Sequence, residues 1–356
     1  MVLASGVPVC PQTPVAGSVT EESRDRDFGI LIDGSATFKE QDWTNYTPAV
    51  FGAILYSGDL LRVEEGAHAK IVCSDLTVHE VQAGINGVPC STAQGVLWRV
   101  DGSLINPTRS RAYDGSYPLV LSPRRTQLLS PTPRLRWTPV KGVEKYLVKI
   151  RSPKGIWSGQ SARTEIEYPA WAPPLEFGTD YKLIAEANGE SSNSEPGPGL
   201  GFSLLAKDEA EVVRKQEGQL NRLGFAPGPT AFLTAHIYAA HDLNAEAIDQ
   251  LEGLAKTFTV AAVQRLLGDL YMRVGLPRQA ESCYINFLEL ASSENDQVGQ
   301  MKAHLTLAKI YQQVFGNSKS ASEQLSSTLA LAIKIGDDRT TRQAYLLRAE
   351  IKNGRW

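Results

Sequence analysis

Apolar positions along this chain follow two patterns, and the change falls near residue 206. Beyond it the spacing is helical. In the stretch Leu266 to Gly275 followed by Gln279 to Tyr284, Leu267 and Tyr271 lie one turn apart on one face. Small residues at Gly268 and Ala280 let two helices approach closely, and Gly275 with Pro277 breaks the chain between them. The segment reads as two short antiparallel helices. The pattern occurs one unit earlier as well, with Ala235 for Gly268, Tyr238 for Tyr271, Ala247 for Ala280 and Leu251 for Tyr284, every pair 33 positions apart. A period this close to the roughly 34-residue unit of helical hairpin repeats predicts a repeat array. A third unit is read at Leu307, Ala308, Tyr311, Gly316 and Ala321, its register lengthened by the polar insert Ser292 to Gln297, and a partial fourth runs from Ala332 to Ile351. The charged helix Lys207 to Leu223 is expected to join the array to what precedes it.

Before residue 206 the pattern is different. Phe28-Gly29-Ile30-Leu31-Ile32 and Ala69-Lys70-Ile71-Val72-Cys73 are short β-prone runs, with turns marked by Gly52, Gly58, Gly66, Gly84 and Gly87. They predict a small sandwich or barrel. A second β domain is expected from Ser122 to Leu205, where Tyr146-Leu147-Val148-Lys149-Ile150-Arg151 alternates as a strand with one wet face does. Trp137 is placed in its core, and Tyr181, near a strand start, is expected to put its hydroxyl into a corner hydrogen bond. The division is residues 1–27 as a flexible segment, 28–110 and 122–205 as two all-β domains, and 207–356 as all-α helical hairpins.

Three resemblances accompany these readings. Leu267, Gly268, Tyr271, Gly275, Ala280 and Tyr284 fall on the pattern of the tetratricopeptide repeat (TPR) family, over roughly Asp208 to Trp356. Trp43, Pro48-Ala49, Gly52, Leu55, Gly58-Asp59-Leu60-Leu61-Arg62-Val63 and Ala69-Lys70-Ile71 resemble the FecR-like domain, in which a Gly-Asp pair turns the chain into a strand. Ser74-Asp75-Leu76-Thr77 stands where that family often carries Asp-Gly-Ser. Pro131, Pro133 to Trp137, Tyr146 to Arg151, and Leu175, Gly178 and Tyr181 to Ala187 are similar to the fibronectin type III or immunoglobulin-like sandwich. The FecR resemblance implies a β fold and a bacterial envelope location; its sensor role, passing a signal from an outer-membrane transporter, remains an alternative.

Composition adds limits. The 356 residues carry a formal charge of −3, so no global field recruits nucleic acid. No run of about 18 apolar residues exists to span a membrane. Met1 to Gly6 is too short for a signal peptide, yet polar Val7 to Asp27 resembles the start of a mature exported chain, so a leader is expected to have preceded this numbering. Cys10 reads as a plain thiol and Cys283 as a small core residue. Cys73 and Cys90 bracket a turn-rich segment that either closes a disulfide, as an oxidising periplasmic or extracellular location would favour, or holds two buried reduced thiols.

Catalytic chemistry finds no support in the motifs. His236 and His241 are five apart, which misses the spacing that clasps a metal from one helix face, and His68 and His79 have no metal-binding motif beside them. The acidic pairs Glu21-Glu22, Glu64-Glu65 and Asp337-Asp338 sit at turns or helix starts, where carboxylates solvate or cap. Gly197-Pro198-Gly199-Leu200-Gly201 lacks the Gly-Lys-Ser/Thr ending of a phosphate loop. No cofactor is implied. The repeat resemblance instead implies a concave partner-binding groove of Phe232 and His236, then Arg265, Asp269, Met272 and Arg273, then Lys302, Lys309, Gln312 and Gln313. Its basic members suit an extended or acidic peptide segment of a protein partner. The expected function is a non-enzymatic scaffold or structural subunit of a larger envelope assembly. Alternatives are a FecR-type periplasmic sensor, and a cell-wall or glycan-binding module using Trp157 and Trp171.

Overall fold

A computed structural model describes residues 27–91, 95–97, 113, 115–194 and 200–353. Residues 1–26 with Cys10 and Glu21-Glu22, the end of the first β domain at 110, and Gly197-Pro198-Gly199 lie outside the described residues.

The N-terminal region is β-rich. Its strands are β1 (Phe28–Gly34), β2 (Ala36–Lys39), β3 (Thr47–Ala49), β4 (Ile54–Tyr56), β5 (Leu60–Val63), β6 (Ala69–Cys73), β7 (Val78–Val81) and β8 (Gly84–Gly87). They form two four-stranded sheets, ordered β4-β1-β6-β7 and β3-β2-β5-β8, with antiparallel pairing throughout. Local chemistry sets the turns. Gly58 sits at φ +93°, a conformation open to glycine, and the buried Asp59 carboxylate accepts from Tyr56 N at 2.8 Å, so this Gly-Asp pair turns β4 into β5. Between β6 and β7 the left-handed position is filled by Leu76, at φ +69°. Two contacts hold it there: its side chain is buried, and Asp75 accepts from Thr77 N at 2.9 Å. Burial of about one leucine's apolar area exceeds the roughly 1–2 kcal/mol cost of that backbone for an L-residue.

Cys73 and Cys90 are joined by a disulfide across a sequence separation of 17. It ties the end of β6 to the chain leaving β8. Removing both cysteines as the Cys73→Ser, Cys90→Ser variant should lower stability by about 3 kcal/mol, the loop-closure value for a ring of this size. Thermal unfolding of the intact and substituted proteins checks this, and equal midpoints would contradict it.

The second β region comprises β9 (Val120–Ser122), β10 (Thr126–Leu128), β11 (Arg134–Trp137), β12 (Tyr146–Ser152), β13 (Gly155–Ser161), β14 (Glu165–Glu167), β15 (Lys182–Ala187), β16 (Glu190–Ser191) and β17 (Phe202–Leu204). A three-stranded sheet, β14-β11-β9, and a four-stranded sheet, β13-β12-β15-β16, share one apolar core, and β10 pairs parallel with β17. Trp137 is among the largest fully buried side chains and packs against Tyr146. Tyr181 accepts from Glu176 N at 2.8 Å, the expected corner hydrogen bond.

Among the described residues eight α-helices follow: α1 (Lys207–Arg222), α2 (Pro227–Ala240), α3 (Asn244–Leu254), α4 (Ala261–Arg273), α5 (Pro277–Ser293), α6 (Gln297–Lys309), α7 (Ser318–Ile335) and α8 (Asp338–Asn353). Each packs on the next. A β-carbon on Gly268 would lie 3.0 Å from the Tyr284 ring, so glycine permits the close approach of α4 and α5. The equivalent positions Ala235, Ala247, Leu251 and Ala280 are all fully buried. The two tyrosines of the repeat act alike: Tyr238 donates to Glu217 on α1, and Tyr271 donates to Glu252 on α3. Helix α1 therefore occupies, against α2, the place that α3 holds against α4, which makes it part of the array rather than only a connection. A π-turn over Ile310–Val314 extends α6 before the chain reaches α7.

Candidate functional site: the inner face of the helical array

The β domains and the helices are not separate bodies. One continuous apolar core contains Phe28, Ile30, Ile32, Ile54 and Leu76 from the first β domain together with Phe232, Leu233, Val263 and Leu266 from the helices. A second joins Leu31, Phe38, Trp43 and Leu61 to Val298, Met301, Ala332 and Ile335. The surface that α2, α4 and α6 turn toward the first β domain is therefore covered by it.

The turn before β4 makes one close contact. The Phe51 ring lies 5.2 Å from the Phe232 ring and 5.1 Å, edge-on, from Phe258. At the next residue, Gly52, φ is +78° and an added β-carbon would overlap that of Ala262. The carbonyl of Gly52 accepts from Arg265 Nη2 at 2.8 Å. An aromatic anchor flanked by a charge-assisted hydrogen bond thus holds this turn of the same chain against the helices. A second contact lies further along: Asn45 N and Nδ2 donate to the carbonyls of Ile335 and Lys334 at 3.2 and 3.0 Å, and Arg339 pairs with Asp42 at 3.1 Å.

None of the ten residues expected to line an open groove is exposed. Phe232, His236, Met272 and Gln312 are buried, and Arg265, Asp269, Arg273, Lys302, Lys309 and Gln313 are half-buried. Arg273 donates to the Ala239 carbonyl at 2.7 Å and pairs with Asp242. Asp269 accepts from the Tyr284 hydroxyl, and the charge of Lys302 acts on Asp296, the carboxylate that caps α6 through Gly299 N at 2.8 Å. The structure brings Phe232 and Arg265 together on the Phe51-Gly52 turn, and it ties Arg273 and Asp269 into the array itself.

The sandwich docks along α3 and the following turns. Arg124 Nε donates to the Val274 carbonyl and its Nη2 to that of Gly275, at 2.8 and 3.4 Å. Asn244 donates to the Arg125 carbonyl, and Thr126 Oγ1 accepts from Ala245 N and donates to the Asp242 carbonyl. Arg136 reaches both Asp249 and Glu252, each at 2.9 Å, and Glu252 also receives the Tyr271 hydroxyl. Glu246 accepts from Leu129 N at 2.7 Å. These docking residues left little trace in the sequence. Arg136 sits in an alternating run as any solvent-facing arginine would, and Phe51 is one aromatic in a turn-rich stretch.

Burial pushes the Glu246 carboxyl up from the usual 4.5 to about 7; the Leu129 amide opposes this and nearby Asp249 adds to it. An acid with a raised folded-state pKa holds its proton more tightly when the domains are docked. Its contribution is therefore full below about pH 4.5, is lost as pH rises toward 7, and levels off above that. Burial also raises Asp249, Glu294 and Asp296, so their sign is the same. Glu246→Gln should flatten the fall in thermal stability over this window. Parallel pH profiles of the two proteins would contradict the assignment.

No family model matches this chain, and no curated protein does. Among solved structures, the crystal structure of BtubC (BKLC) from P. vanneervenii is similar at 15% identity, covering 41% of this chain and 73% of that one, with a TM-score of 0.26. At that score the likeness bears on neither fold nor function. Among the described residues no helix is long and apolar enough to cross a membrane, and no cluster of His, Cys, Asp and Glu is arranged to hold a metal.

Proposed function

We propose that this chain is a non-enzymatic scaffold subunit of a bacterial cell-envelope assembly, in which TPR-like repeats grip their own FecR-like domain and a fibronectin-like sandwich, and the outer surfaces receive protein partners. The observation that carries this reading is the Phe51-Gly52 turn seated on Phe232, Phe258 and Arg265. A repeat surface so occupied fixes the geometry of the chain instead of offering an open groove. The Cys73–Cys90 disulfide is the form these residues take in an oxidising compartment, which favours an exported location. Apolar residues remaining at the surface, including Ile333 and Leu346, 61% and 58% exposed, supply outer contact points.

Photo-reactive side chains placed one at a time in living cells test this. Adducts to envelope proteins from Ile333 and Leu346, with none from Lys309 and Gln313, are expected. Partner adducts only from Lys309 and Gln313 would overturn the reading. A second reading, wall-glycan binding, is kept by Trp171, which is 80% exposed, whereas Trp157 is half-buried against Tyr168. Retention on isolated cell wall that is lost in Trp171→Ala would favour it.

A further inference from the structure

Sheet edges in this chain are guarded by different means. Edge strand β3 contains Pro48, β14 carries Glu165 and Glu167, β7 carries His79 and Glu80, and β16 is two residues long. Strand β8 is short, with Gly84 at φ +127°. Prolines, charges and short length are the ordinary defences against edge-to-edge pairing.

Strand β13 has none of them. It runs seven residues, Gly-Ile-Trp-Ser-Gly-Gln-Ser, without a charge or a proline. It pairs with β12 over seven consecutive residues, Ser152↔Gly155 to Tyr146↔Ser161, with no bulge to twist it away. Its other side pairs with no strand among the described residues, and Gly155, Ile156, Ser158 and Gln160 are exposed. Such an edge presents a row of backbone donors and acceptors in one regular register.

The strand can also meet a copy of itself in register. Antiparallel pairing centred on Ser158 places Ile156 opposite Gln160 and Trp157 opposite Gly159. On the inner face Trp157 lies over its own Gly159, 2.9 Å from where a β-carbon would be, so the ring is folded along its own strand. No like charges meet along the seam, because the strand has none.

We propose that β13 pairs antiparallel with β13 of a second copy about a two-fold axis through Ser158, so that two four-stranded sheets continue as one. This deepens the scaffold reading, and rests on it, by making the sandwich the contact through which scaffold units join.

The test uses the full chain. Its molar mass in solution, by light scattering, is expected to reach that of a dimer as concentration rises. Ser158→Asp should hold it at monomer mass: Ser158 faces Lys149 on β12, so the new carboxylate gains a partner within the chain while meeting its own copy across the axis. Ser158→Cys should cross-link two copies on oxidation. Ile156→Cys should not, because the two copies of residue 156 stand four positions apart along the strands, about 13 Å. A native chain that is monomeric throughout, including one whose edge takes up an uncharged extended peptide instead, overturns the proposal, as does a dimer that Ser158→Asp leaves intact. Neither outcome disturbs the clamp on Phe51, whose failure would appear as release of the first β domain in a chain of unchanged mass.

Discussion

Gly52→Val should detach the N-terminal β domain from the helices. Two effects combine at this position. The backbone is at φ +78°, where a β-branched residue is strongly disfavoured, and the new β-carbon would overlap Ala262 on α4. Neither neighbour can give way easily, because Ala262 and Phe232 are both buried, and the Phe232 ring lies 3.4 Å from the added β-carbon. Relieving the clash moves the turn off α4, which withdraws Phe51 from Phe232 and Phe258 and breaks the hydrogen bond from Arg265 to the Gly52 carbonyl. A loss of about 4 kcal/mol is expected, the range in which overpacking and a special backbone angle act together. Calorimetry should then show the first β domain melting apart from the helices, and limited proteolysis should cut between them. One undivided transition at the native midpoint would contradict this.

Arg136→Ala is expected to have the next largest effect. The guanidinium is the cation shared by Asp249 and Glu252, and its side chain is only 18% exposed. Burial pulls its own affinity for a proton down while Glu252 and Asp249 pull it up, the two carboxylates prevailing. Without it, Asp249 and Glu252 face one another with Tyr271 between the array and the sandwich. Removing one partner of such a cluster costs about 3 kcal/mol, because the remaining charges stay partly desolvated. The sandwich should loosen from α3 while its own core around Trp137 holds. Faster amide exchange on α3 with unchanged exchange on β12 and β15 is the expected signature; uniform acceleration would mean that Arg136 stabilises the sandwich itself.

The helices were legible because their signal is local. Gly268 and Ala280 are small for a reason that acts within one hairpin, and the same reason at Ala235 and Ala247 produced the period of 33. Trp137 and Tyr181 were legible for the same reason: an aromatic in an alternating run has one dry place to go. The covering of the inner face was not. It depends on Phe51 meeting Phe232 and Phe258, and on Gly52 meeting Arg265, across 213 positions of chain. A groove residue that binds a foreign peptide and one that binds its own β turn have the same sequence signature, an apolar or basic side chain on the inner helix face. Leu76 shows a further limit. A leucine gives no warning that it will take a left-handed backbone, since what holds it there is burial supplied by distant residues.

The central claim is that the array's inner face holds the chain's own first β domain. A photo-reactive phenylalanine analogue at position 51 of the full-length protein tests it most directly, read by mass spectrometry after brief irradiation of dilute protein. Adducts within the same chain, to the peptides carrying Phe232 and Phe258, are the expected result. Label found on solvent, or on a second molecule, with α2 and the Phe258 turn unmodified would show that the inner face stands open.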